Sequence, residues 1–192
     1  MPYRTKKPKL WLSERQTNAI LRTARQRRER DFMIFQLCRY GLRVGEIVGR
    51  NRLPGIHRED LRWSEGGVRV LGKGTNQIFY PLPKRVMSQL RRYISQNGFG
   101  PDGRIFPISE CRVEQLVKSY SRIAGIADYR LVSPHRLRAF FATDAKAKGF
   151  SEWVIRDLMR HSSVVTTNEY VGRSTVEETS QYMEVLAKRS RT

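Results

Sequence analysis

Acidic residues are scarce in this chain. Only 18 Asp and Glu stand against 37 Lys and Arg, leaving a formal charge of +19 on 192 residues. Such an imbalance repels itself in a compact fold, so a polyanionic partner is expected. A membrane surface would also attract it, but no basic amphipathic stretch with an exposed aromatic face stands out. The few carboxylates are scattered and form no cluster for a two-metal site. Cysteine is nearly missing too. Cys38 and Cys111 lie far apart and make no CxxC pair, which argues against a disulfide framework or a zinc site. Both read best as small buried hydrophobes. No apolar run is long enough to span a bilayer, and the basic N-terminus lacks the apolar core of a signal peptide. An intracellular, cytoplasmic or nucleoid-associated protein is expected.

What is present fits one domain. The 39% hydrophobic content supports a core, and arginine predominates over lysine in the body of the chain, as planar phosphate recognition favours. Residues 1–11 carry Arg4, Lys6, Lys7 and Lys9 along with Pro2 and Pro8 and read as a basic arm. Ser13 and Gln16 have the spacing of a capping box, predicting a helix to about Arg27. Further helices are predicted from Asp31 to Tyr40, ended by Gly41, and from Leu42 to Val48. Between Leu61 and Leu82 the period changes to that of short strands, with Gly72 to Asn76 as a turn. Helices resume at 83–96, 110–124, 134–148 and 152–159, with a last one over 176–188. The expected fold class is mainly α with a small antiparallel β-sheet.

Four local signals point to chemistry. Arg43 and Glu46 are three apart, so the carboxylate can hold the guanidinium, although a surface ion pair is the plainer reading. Lys73 sits between two glycines at the predicted hairpin tip, where a lysine among cations can act as a mobile acid. Gly67 to Lys73 also spells most of a phosphate-loop motif. Gly74 replaces its Ser or Thr, however, and the intervening residues read as strand, so no ATP site is expected. Ser133 suits an N-cap and Pro134 the first helical position, which puts His135 and Arg138 on one face near a helix N-terminus that favours an anion. Finally, His161 precedes Tyr170 across a Ser/Thr-rich stretch.

Taken in order, Arg43, Lys73, His135 with Arg138, then His161 with Tyr170 closely resemble the tyrosine recombinase, or phage integrase, family over roughly Leu12 to Arg173. The resemblance implies a tyrosine recombinase catalytic-domain fold over 12–174, followed by a C-terminal helix and tail over 175–192. It implies that Tyr170 attacks a DNA phosphodiester and leaves a 3′-phosphotyrosyl link. Arg43 and Arg138 would hold the non-bridging oxygens, and Lys73 would protonate the departing 5′-oxygen. His135 would assist proton transfer, His161 would hydrogen-bond the phosphate, and Glu46 would support. Double-stranded DNA is the implied partner, with self-association on it as a dimer or tetramer, and neither a metal nor a small-molecule cofactor is implied.

The residue types suit that chemistry independently. Fixed cations favour the charge-gathering transition state over the substrate, and a phenol of reference pKa near 10 needs such surroundings to attack at neutral pH. Arg160 stands where the family commonly has Gly, and Ala139 where another His is frequent; neither removes a catalytic group. Many relatives carry an additional N-terminal domain that closes around DNA. This chain reads as an excised catalytic domain or a short member, with a weaker and strongly salt-dependent grip. The terminal helix, with Val176, Met183, Val185 and Leu186 as its expected apolar face, either docks on a neighbouring protomer or packs on its own domain. Competing readings are a type IB topoisomerase-like enzyme, a non-catalytic DNA-binding regulator or packing protein, and a metal-dependent nuclease.

Overall fold

Residues 11–51, 53–71, 77–100, 102–159 and 176–188 are described by the computed structural model. Most of the predicted basic arm and the hairpin turn fall outside them.

Helix α1 (Glu14–Arg27) opens with the expected capping box: the Ser13 hydroxyl accepts from the Gln16 amide at 3.2 Å, and the Gln16 side chain accepts from the Ser13 amide at 2.9 Å. Helix α2 (Glu29–Arg39) is buried over most of its length. Every residue from Asp31 to Cys38 is buried, as befits the central helix of a bundle. Helices α1, α4 (Lys84–Asn97), α5 (Glu110–Ile123) and α6 (Pro134–Ala147) pack around it. The flanking helices are amphipathic: α4 buries Val86, Met87, Leu90 and Tyr93, and α5 buries Val113, Val117 and Tyr120. Asp31 is a buried charge in this core. It accepts from the Tyr120 hydroxyl at 2.8 Å and from Arg30, so α2 and α5 are tied by a satisfied polar contact.

After the short helix α3 (Val44–Val48) comes an antiparallel sheet in sequential order, β1 (Leu61–Arg62), β2 (Gly67–Leu71) and β3 (Gln77–Pro81). Val68 pairs with both Leu61 and Tyr80, and all three are buried, so one face of the sheet closes on the helices. Helix α7 (Glu152–Met159) packs on α6. Helix α8 (Val176–Lys188) lies against β3. There the Glu184 carboxylate accepts from the Lys84 amide at 2.5 Å, an acid on a free donor at the start of α4. Tyr182 meets Phe150 edge-on at 4.8 Å.

Two expectations about buried residues need correction. Cys38 is buried, and burial pushes its thiol pKa up to about 12, whereas Cys111 is exposed because α5 turns it away from the core. On α8 the buried face is Met183, Leu186 and Ala187, at i, i+3 and i+4. Val185 is 40% exposed, and the side chain of Val176 lies outside the described residues. Among the described residues, no helix is long and apolar enough to cross a membrane.

Candidate active site

The site is built where α2 ends. Gly41 takes φ +94, and the helix closes with two back-bonds, from the Gly41 amide to the Cys38 carbonyl at 3.0 Å and from the Leu42 amide to the Leu37 carbonyl at 3.1 Å. Glycine is required there: a Cβ would stand 2.4 Å from the Tyr80 hydroxyl and 3.3 Å from the Phe141 ring. Two residues later Arg43 caps α3. The Glu46 carboxylate accepts from its backbone amide at 2.8 Å and from its guanidinium at 2.9 Å. Glu46 is only 4% exposed, because α3 packs on β2 and α5. The plainer reading of a surface ion pair therefore gives way to a buried carboxylate gripping a half-exposed arginine.

Helix α6 supplies the second arginine. Ser133 and Pro134 occupy the expected N-cap and first helical positions, but the Ser133 side chain makes no capping bond. His135 and Arg138 follow on one face. Arg138 is buried; its Nη1 donates to the Gly41 carbonyl and its Nη2 to the Met159 carbonyl. A side chain of α6 thus bridges the ends of α2 and α7. Partial burial lowers the His135 pKa below its ordinary 6.5, and the nearby charges of Arg138, Arg136 and Arg43 lower it further. The shift favours the neutral imidazole at pH 7, with Arg138, Arg136 and Arg43 as the charges that favour it. A neutral imidazole beside fixed guanidinium groups can move a proton while the cations stabilise an anion.

Arg43, Glu46, His135 and Arg138 are therefore brought together from segments about ninety positions apart in the sequence. Lys73, His161 and Tyr170 lie outside the described residues, as does Arg160. Sequence reasoning missed the anchors that are not side chains, the carbonyls of Gly41 and Met159. It also missed Tyr80, whose hydroxyl donates to the Tyr40 carbonyl at 2.6 Å. The only signal for the first was the glycine predicted to end α2. Among the described residues, no three His, Cys, Asp or Glu side chains gather as a metal site would require.

Residues 10–177 match the phage integrase family. A tyrosine recombinase of Pseudothermotoga lettingae is 32% identical over 149 residues, covering 74% of this chain and 49% of that protein. The tyrosine recombinase XerD of Yersinia pestis is 32% identical over 178 residues, covering 83% of this chain and 56% of that protein. The chain thus spans about half the length of the relatives it matches. The solved integrase of mycobacterium phage Brujita superposes with a TM-score of 0.73 at 26% identity, covering 96% of this chain and 60% of that one. With its helical bundle, its small sheet and a family match along most of its length, the chain belongs to the phage integrase family and has the fold of a tyrosine recombinase catalytic domain.

Proposed function

We propose that this chain carries out site-specific DNA recombination by cutting and rejoining one strand at a time through a covalent tyrosyl intermediate. Tyr170 is the nucleophile. Its oxygen bonds to phosphorus as the bond from phosphorus to the 5′-oxygen breaks, leaving a 3′-phosphotyrosyl link and a 5′-hydroxyl. Arg43 and Arg138 bind the non-bridging oxygens, whose charge grows in the transition state. Neutral His135 assists transfer of the phenol proton, Lys73 gives a proton to the departing 5′-oxygen, and His161 hydrogen-bonds the phosphate. The intermediate keeps the phosphoester energy, so rejoining is the reverse reaction and needs neither ATP nor a metal.

The observation that carries the reading is the convergence of Arg43, Arg138 and neutral His135, with Glu46 behind the first arginine. The charge of +19 supports double-stranded DNA as the partner, in the cytoplasm or on the nucleoid. Relatives named as recombinases and integrases favour strand exchange over supercoil relaxation or a non-catalytic role. Self-association on DNA belongs to the same reading. In domain terms, 1–11 is a basic arm, 12–174 the catalytic unit, and 175–192 the terminal helix and tail.

The test is covalent trapping. A nicked DNA substrate whose cut strand cannot be rejoined should accumulate a protein–DNA adduct with the wild-type chain, in the presence of chelator, and none with Tyr170→Phe. An adduct that persists in the variant, or that chelator abolishes, overturns the assignment.

A further inference from the structure

We infer that Tyr80 is a positioning residue for the arginine pair, acting through the consecutive carbonyls of Tyr40 and Gly41. The inference rests on the catalytic reading of Arg43 and Arg138 given above.

The end of α2 uses its last helical carbonyls locally. Gln36, Leu37 and Cys38 accept from the amides of Tyr40, Leu42 and Gly41. Past Arg39, the carbonyls of Tyr40 and Gly41 are taken by side chains from distant elements. The Tyr40 carbonyl accepts from the Tyr80 hydroxyl of β3 at 2.6 Å, and the Gly41 carbonyl accepts from Arg138 of α6. Each peptide plane is rigid, so the direction of the second carbonyl follows from the first plane and the torsions of the glycine between them. Glycine leaves those torsions wide latitude. The Tyr80 bond fixes the first plane, and the Tyr80 hydroxyl and Phe141 ring crowd the glycine from outside. Whatever turns this peptide moves the acceptor of Arg138 and, two residues on, the backbone that carries Arg43.

The hydroxyl is the informative part of Tyr80. The residue is 2% exposed on the inward face of β3, opposite Val68, where phenylalanine would fill almost the same volume. In so dry a place a hydrogen bond is strong, and an unmet carbonyl is costly. β3 thus does more than cover the core: it sets the backbone that leads into Arg43 and that anchors Arg138.

The test uses the full chain at saturating DNA on the trapping substrate, with an ordinary phosphate or a methylphosphonate at the scissile position. The methyl group replaces a charged non-bridging oxygen, so guanidinium placement matters much less. Tyr80→Phe should bind DNA as tightly as wild type and form the adduct about ten- to a hundredfold more slowly on phosphate. On methylphosphonate its deficit relative to wild type should shrink, in parallel with that of Arg138→Ala. No deficit on phosphate, or one equal on both substrates, overturns the positioning role. If Arg138→Ala itself forms the adduct at the wild-type rate on phosphate, the reading of the site fails first and takes the inference with it. The wild-type chain offers a test that does not depend on the variant folding: the Leu42 amide should exchange with deuterium as slowly as the core of α2. Exchange at the rate of an exposed loop there overturns the inference.

Discussion

Glu46 holds Arg43 at two points, one carboxylate oxygen on the backbone amide at 2.8 Å and the other on the guanidinium at 2.9 Å. The carboxylate is buried while the arginine is 40% exposed, so the arrangement fixes a cation that still faces outward. In Glu46→Gln the amide keeps one acceptor and sets a second donor against a guanidinium that only donates. The adduct rate should fall about tenfold or more, with little change in DNA affinity, measured by trapping kinetics alongside equilibrium binding. Glu46→Ala should in addition lose about 1–2 kcal/mol of stability in urea unfolding, because the Arg43 amide loses its acceptor. The partly exposed guanidinium, which water can solvate, adds little to that loss.

The pH profile should carry the mark of His135. Partial burial and then Arg138, Arg136 and Arg43 lower its pKa below 6.5, and the neutral form is the one able to accept a proton. Activity should therefore be high at neutral pH and fall on acidification with a midpoint below 6.5, with the limb absent from the residual activity of His135→Asn. Arg136→Ala removes one of the depressing charges without touching either arginine assigned to the phosphate. The acid limb should move upward, toward 6.5, when adduct rates are measured across pH at low salt. A limb that stays in place would show that another group titrates.

The pairing of Arg43 with Glu46 and the shared face of His135 and Arg138 were legible in the sequence, and Tyr80 and the backbone carbonyls that anchor the site were not. Three-residue spacing predicts that Arg43 and Glu46 meet, but says nothing of depth, which comes from α3 packing on β2 and α5. The glycine after Tyr40 marks a helix end by its chemistry. That the freed carbonyls would be claimed by Tyr80 and Arg138 depends on long-range topology and leaves no local pattern. Ser133 has the right type for a cap yet makes no capping bond, since propensity gives a preference and not a geometry. Cys111 and Val185 were assigned to buried faces on hydrophobic character alone. The helical phase set by Val113 and Val117 in one case, and by Met183 and Leu186 in the other, decides against them.

Tyr120→Phe tests the polar tie inside the bundle. The Tyr120 hydroxyl donates to buried Asp31 at 2.8 Å, and both burial and that carboxylate raise its pKa from 10.0 to about 12. A hydrogen bond to a buried charge contributes about 1.5–3 kcal/mol, so the variant should unfold at lower urea with an unchanged slope. Because the folded-state pKa is raised, this contribution is complete below pH 10 and declines as pH climbs toward 12. The loss of stability over that alkaline window should be shallower in the variant than in wild type. Identical alkaline slopes would mean that the phenol contributes nothing there.

Arg138→Lys separates charge from shape. Arg138 reaches the Gly41 carbonyl with one terminal nitrogen and the Met159 carbonyl with the other, so its fork joins the ends of α2 and α7. A lysine ammonium keeps the charge but is a single point and cannot span both acceptors in that plane. At least one buried carbonyl then loses its donor, and stability should drop by about 1–3 kcal/mol in denaturant titration. The adduct rate should drop about a hundredfold or more, since a cation out of place no longer meets the developing charge. The slope of log DNA affinity against log salt should stay that of wild type, because the number of cations is the same. Near-normal cleavage by the lysine variant would mean that positive charge suffices at this position, and that the bridge between the two helix ends serves the fold alone.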